Sequence, residues 1–270
     1  MKKKILSLCL VIALAATAVI GGTLAYFTDT EQTTNEMTVG NIDINLEEVK
    51  LVVDDEGNKT WVDYDQDEPL NLFPVKWEDR AEYGMSNNKA ARVYNTSSSG
   101  KNAYLRTIVA IPSVLDDVIG LGFAEGEAWN ATGSDGVKRY GCTWEKIGSA
   151  SFDGYIHDIY VCDTVGDVAV EKGNYMLSLV SVWMYDTVTN EKLASLIQEE
   201  NDAQDGVTKG TDNMIDFDVK VLSQGVQTEG FANYDEAMAS FGDVLTNVGD
   251  WFTGTNKAAD AVINDWVNKN

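Results

Sequence analysis

Few residues in this chain are of a type and spacing that could carry out catalysis. The only histidine is His157, and the cysteines are Cys9, Cys142 and Cys162. A catalytic zinc usually takes histidines from patterns such as HExxH, and no such helix occurs. A serine nucleophile would have His157 as its sole imidazole, with no GxSxG elbow to present it. His157 stands in an alternating run, Tyr155–Tyr160, beside an aspartate, and reads as a strand-surface histidine. With 43 Asp and Glu in the chain, every carboxylate finds a neighbour, so paired-acid hydrolysis has no distinguishing signature. Walker and Rossmann glycine patterns are absent. The expectation is a protein that is not an enzyme.

Two other constellations bear on ligands and crosslinks. Asp63, Asp65 and Asp67 have the opening rhythm of a calcium loop, but Glu68 stands where the turn needs glycine and Pro74 where a bidentate glutamate belongs. Calcium is therefore the one cofactor on offer, against a solvated acidic loop. Cys142 and Cys162 are too far apart for a CxxC pair. The segments Lys138–Ile147 and Tyr155–Val165 predict a hairpin turning near Phe152, in which the two cysteines would face each other. A disulfide and two buried free thiols are both consistent with that arrangement.

The start of the chain points to export. Lys2, Lys3 and Lys4 precede an apolar run from Ile5 to about Ile20, and small residues follow. That is the three-part layout of a signal peptide, with Thr23 and Ala25 fitting the peptidase pockets and Tyr26 as the first mature residue. An uncleaved membrane anchor is the alternative. Removing residues 1–25 takes three of the 20 Lys and Arg and none of the 43 Asp and Glu, so the formal charge goes from −23 to −26. Such a charge repels nucleic acid and anionic lipid; contact with membrane is expected only through the leader before cleavage.

The elements that would position these residues are mainly strands. Val39, Ile42, Ile44 and Leu46, then Val49, Leu51 and Val53, alternate with polar residues, and the buried face shifts near Glu47–Glu48. Asn95–Asn102 is a turn-rich loop leading into Ala103–Pro112, where Leu105, Thr107, Val109 and Ile111 share a face. Further strands are predicted over Tyr175–Tyr185 and Met214–Val226. Helical spacing occurs over Glu191–Ala203, Tyr234–Leu245 and Lys257–Val267. Strands without regular βα alternation indicate a mainly β, antiparallel sandwich or barrel with peripheral helices. The expected organisation is a leader (1–25), a short N-terminal segment (26–37), a β domain (38–247) and a C-terminal helical tail (248–270).

The segment Gly21–Glu48 contains Tyr26-Phe27-Thr28-Asp29 after small residues, and then Thr38-Val39-Gly40-Asn41-Ile42-Asp43-Ile44. It resembles the start of camelysin/TasA-like proteins, exported by Gram-positive cells through a dedicated signal peptidase. Val93-Tyr94-Asn95-Thr96 followed by Ala103-Tyr104-Leu105-Arg106 is similar to a second family block. Trp183-Met184-Tyr185-Asp186 with Val188-Thr189-Asn190-Glu191, and Ser223-Gln224-Gly225-Val226-Gln227-Thr228-Glu229-Gly230-Phe231, are further points of likeness. Glu82-Tyr83-Gly84-Met85 departs from the family's proline-glycine, and the tail after Gly242 has no family counterpart.

The resemblance implies a jelly-roll-like sandwich, secreted to the extracellular matrix or cell surface as a fibre subunit. In such fibres the mature N-terminal segment of one subunit adds as a strand to the next. Here that segment is Tyr26–Met37, with Phe27, Thr28, Thr30, Gln32, Thr34 and Met37 as strand residues. The implied partners are further copies of the chain, other matrix proteins, and the signal peptidase during export. Two other readings stand beside this one. One is a monomeric adhesin using Trp61, Trp77, Trp129 and Trp144; the other is the metallopeptidase activity also described for camelysin-like proteins.

Overall fold

The computed structural model describes residues 28–29, 42–64, 70–86, 88–196, 207–209, 215–254 and 262–265. In chain order the first strands are β1 (Thr28–Asp29), β2 (Ile44–Val53), β3 (Lys59–Asp63), β4 (Pro74–Val75), β5 (Ala90–Asn95) and β6 (Ala103–Pro112). They are followed by β7 (Ile119–Phe123), β8 (Ala131–Thr132), β9 (Lys138–Tyr140), β10 (Cys142–Phe152) and β11 (Tyr155–Thr164). The last are β12 (Tyr175–Leu177), β13 (Leu179–Tyr185), β14 (Val207–Lys209), β15 (Ile215–Phe217), β16 (Lys220–Gln227) and β17 (Val262–Asp265). Among the described residues three α-helices accompany them: α1 (Asn190–Leu196), α2 (Tyr234–Ala239) and α3 (Val244–Thr253).

One layer of the sandwich is the sheet β1-β16-β6-β11-β10, with β17 also on β16. The other holds β3-β2-β5-β12-β9-β8 and the smaller sheet β4-β13-β7. The main core lies between them, with Leu105, Val109, Ile111 and Val221 from the first layer and Ile44, Leu46, Val93, Met176 and Val182 from the second. The chain passes repeatedly between layers, from β5 to β6, to β7, and later from β11 to β12, as a jelly roll does.

The face shift read in β2 is present: Leu46 and Val49 are both buried, and so is Glu48 between them. The Glu48 carboxylate meets the Lys89 ammonium at 3.1 Å, with side chains 1% and 2% exposed. Lys89 enters β5 and also lies over the Tyr64 ring. A charge buried this deeply is tolerable only because its partner sits beside it. Asn95 ends β5 fully buried. Its amide donates to the carbonyls of Lys101 and Val170, both at 2.8 Å. Its Oδ1 accepts from the Ser97 amide and hydroxyl. All of its polar capacity is used, which fixes the loop that carries the chain from one layer to the other.

β6 is buried on both sides. Its inner face joins the main core, and Ile108 and Ala110 on its outer face pack with Ile159, Leu222, Val248, Trp251 and Phe252. The two last helices therefore cover the outside of this sheet. The single helix expected over Tyr234–Leu245 is two helices: Gly242 (φ 84°) breaks it, and Asp243 caps α3 by accepting from the Thr246 amide at 2.8 Å. The helix expected over Glu191–Ala203 is α1, Asn190–Leu196, and residues 197–203 lie outside the described ones. The strand expected over Tyr175–Tyr185 is divided at Ser178, whose amide turns to the Ala91 carbonyl at 3.0 Å. The expected strand Met214–Val226 is likewise divided, into β15 and β16. Over Lys257–Val267 the expected helix is replaced, at Val262–Asp265, by strand β17. Pairing with an open sheet edge outweighs helical spacing there.

His157 is also corrected. It is 1% exposed, on the β11 face that α3 covers, with its ring stacked at 4.0 Å on Phe152. Its Nδ1 has no hydrogen-bond partner. Burial, and then the Lys220 charge, hold its pKa down to about 4; Asp153 and Asp158 oppose this. Lys220 is itself paired with Asp153 at 3.1 Å.

Two stability predictions come from these buried groups. Lys89→Ala strands the Glu48 carboxylate and should cost about 3–5 kcal/mol in urea unfolding, while Glu48→Leu with Lys89→Met should restore most of the loss. Agreement between single and double variants would contradict a paired burial. His157 stays neutral in the fold but takes a proton when unfolded below its ordinary value of 6.5. Stability is therefore complete above that pH and is lost as pH falls from about 6.5 through about 4. His157→Phe should flatten this part of the pH profile; an unchanged profile would exclude His157 as its source.

Candidate functional site

Among the described residues the first-layer sheet ends in β10 at one border and, at the other, in β1 and β17 laid along β16, and the two borders are finished differently. At one edge β10 carries a bulge between Lys146 and Gly148. Lys146 is held there by Asp158 at 2.6 Å and Asp116 at 3.0 Å. A bulge and an inward-tied charge interrupt the ladder that an added strand would need. This edge is closed to extension.

The other edge belongs to β16, which is straight and backed on both faces. Along one flank it pairs with β6 from Lys220↔Ala110 to Gln227↔Ala103. Its inner side is anchored by Thr107 and Ser223, whose hydroxyls lie 3.2 Å apart. Gly225 faces the core so closely that a Cβ would come 2.6 Å from Ile44 Cγ2. On the outer side Arg106 donates to Gln224 Oε1 at 2.6 Å and lies near the rings of Phe241 and Trp251. Beside it the Tyr234 hydroxyl donates to Asp163. Burial raises the pKa of Asp163, and burial with the adjacent Asp163 raises that of Tyr234. The strand is thus held rigid from within and from without.

The free flank of β16 is where chain ends arrive. Thr28 pairs opposite Val226 and Asp29 opposite Gly225. β17 pairs along Lys220–Ser223. Of the segment read as an added strand, Thr28 is thereby placed on a sheet edge, in its own chain. Phe27, Thr30, Gln32, Thr34 and Met37 lie outside the described residues, as do Thr23, Ala25 and Tyr26 at the processing site. The value of β16 as an edge was not read from sequence, although Ser223–Gln227 was noted for its likeness to the family.

The remaining sequence candidates do not gather into a site. Asp63 is exposed at the end of β3, and Asp65 and Asp67 lie outside the described residues. Cys142 and Cys162 are free, buried thiols, in hydrogen-bond contact with each other; burial and then that contact raise the pKa of Cys162. They do not face each other: Trp144 is opposite Cys162, and Cys142 is opposite Thr164. The turn is Asp153-Gly154, with φ of 53° and 85°, which is the Asp-Gly pair that two-residue hairpins favour. That dipeptide was the signal for the true register. Of the tryptophans, Trp61 and Trp129 pack partly against the core. Trp144 stacks on Phe123 at 4.6 Å, and Trp77 lies between Arg80 and Trp183.

A family model described as Camelysin metallo-endopeptidase matches residues 1–58. Neither the curated proteins nor the solved structures provide a match to the chain. The described residues do not fit the metal that the description implies. Among the described residues no three His, Cys, Asp or Glu side chains gather to hold an ion, and the single histidine is sealed beneath Phe152. The matched span contains Gly21–Glu48 and runs through β2. Over these first 58 residues the chain is similar to the camelysin family.

Proposed function

We propose that this protein is a secreted, non-enzymatic structural subunit of extracellular matrix or surface fibres, assembled by adding the N-terminal segment of one copy to the β16 edge of the next. The observation that carries the reading is the pairing of Thr28–Asp29 with Val226–Gly225. It joins a segment lying just beyond the leader to β16, the long strand next to the border of the first-layer sheet. Strand addition takes its affinity mainly from backbone hydrogen bonds, so a polar, threonine-rich donor such as Tyr26–Met37 is suited to it. The same register used between copies would satisfy the same backbone groups. Secretion is supported by Lys2–Ala25, whose charged start, apolar middle and small-residue exit match a cleavable leader.

The acidic balance shapes how such subunits would meet. Copies starting at Tyr26, with a formal charge of −26, repel one another, and added salt screens that repulsion. Assembly should therefore be promoted by salt. The deciding comparison is electron microscopy of the chain starting at Tyr26 and the chain starting at Met37, each concentrated under the same salt series. Fibres from the first and none from the second is the expected result. Dispersed monomers from both, at every salt and with calcium, would contradict the proposal and favour the monomeric adhesin.

A further inference from the structure

Strand β17 lies on the part of the edge that a full-length donor strand would need. β1 and β17 both run antiparallel to β16, so they point the same way along one flank. β1 covers Val226 and Gly225; β17 covers Ser223 to Lys220; Gln224 lies between them. In the β1 register each step forward along the N-terminal segment moves one residue back along β16. Unbroken, that register would bring Glu31–Thr34 onto Ser223–Lys220, the same four residues that β17 pairs.

We infer that Val262–Asp265 is a built-in cap on the acceptor edge, competing with the N-terminal segment of a neighbouring copy for Lys220–Ser223. The inference rests on the strand-addition reading of the preceding section and adds a control to it. With β17 in place, an incoming segment can at most replace β1 at Val226 and Gly225, and must displace the cap to gain the others. Two segments cannot occupy one flank together, so a long donor strand and β17 exclude each other. The cap also covers the backbone groups of an otherwise open edge, which limits premature or disordered pairing. This gives a role to a tail that has no counterpart in the family resemblance.

The test uses the chain from Tyr26 to Asn270 carrying either Ile263→Pro, which removes a backbone donor and disfavours a paired strand, or Ile263→Val as control. A second variant ending at Gly254 removes β17 outright. Amide exchange along Lys220–Ser223 reports whether the cap has been released, and near-ultraviolet circular dichroism reports whether the sandwich is intact. The probe is a labelled synthetic peptide of residues 26–37. Binding should tighten by about tenfold in the uncapped proteins, because the competent edge is no longer mostly occupied. Equal peptide affinity with and without a released cap would overturn the inference while leaving strand addition standing. No peptide binding even to an uncapped, folded protein would overturn both.

Discussion

A strand at the border of a sheet leaves one row of backbone N–H and C=O groups without protein partners, and the arrangement around β16 is organised by that row. The strand itself cannot move to relieve the problem. Gly225 is pressed against Ile42, Ile44 and Leu105, and Gln224 is tied to Arg106 on the other face. The helices α2 and α3, which would otherwise have no reason to sit outside a sandwich, press the outer face of the sheet, α2 through Tyr234, Ala237 and Met238 and α3 through Val248, Trp251 and Phe252. What remains adjustable is what pairs with the free flank. Both β1 and β17 are found there, and the proposed assembly and its control are two uses of the same row of backbone groups.

The rigidity of this edge depends on contacts further in. Asn95 closes the loop between the layers with both ends of its amide, and the Glu48–Lys89 pair fixes β2 against β5 where the buried face shifts. Each is a polar group placed in a core, costly if left alone and specific when satisfied. At the far border the bulge of β10 and the ion pairs of Lys146 keep the ladder from being extended. The sheet is therefore asymmetric: one border is interrupted by a bulge and tied charges, the other is completed by the short strands β1 and β17. Such polarity is what a head-to-tail assembly requires.

Much of the sandwich could be read from local pattern. Alternation identified β2 and the shift at Glu48, and the run Ala103–Pro112 identified β6, because a half-buried or fully buried strand writes its environment into side-chain types. What escaped was set at long range. His157 looked exposed because its neighbours alternate, but α3, nearly ninety residues later in the chain, covers that face. Ala258, Ala261, Val262 and Trp266 have helical spacing, yet Val262–Asp265 pairs with β16, and no local feature reveals an available edge. The cysteine register was legible and missed: Asp153-Gly154 fixes the turn, and the bulge shifts the remainder. For the site, the likeness of Gly21–Glu48 to one family drew attention to the N-terminal segment, but its acceptor was not legible, because only the fold brings Thr28 to Val226.

The central claim is that the N-terminal segment of one copy reaches the β16 edge of another. It is tested most directly by mixing two single variants, Thr28→Cys and Val226→Cys, under oxidising conditions. These positions face each other across an antiparallel pair, a separation that a disulfide can close. The account predicts a covalent dimer that forms only in the mixture, increases with protein concentration and salt, and requires both cysteines. If the mixture stays monomeric, while a single chain carrying both cysteines closes on itself at every concentration, the pairing is internal and the account is contradicted.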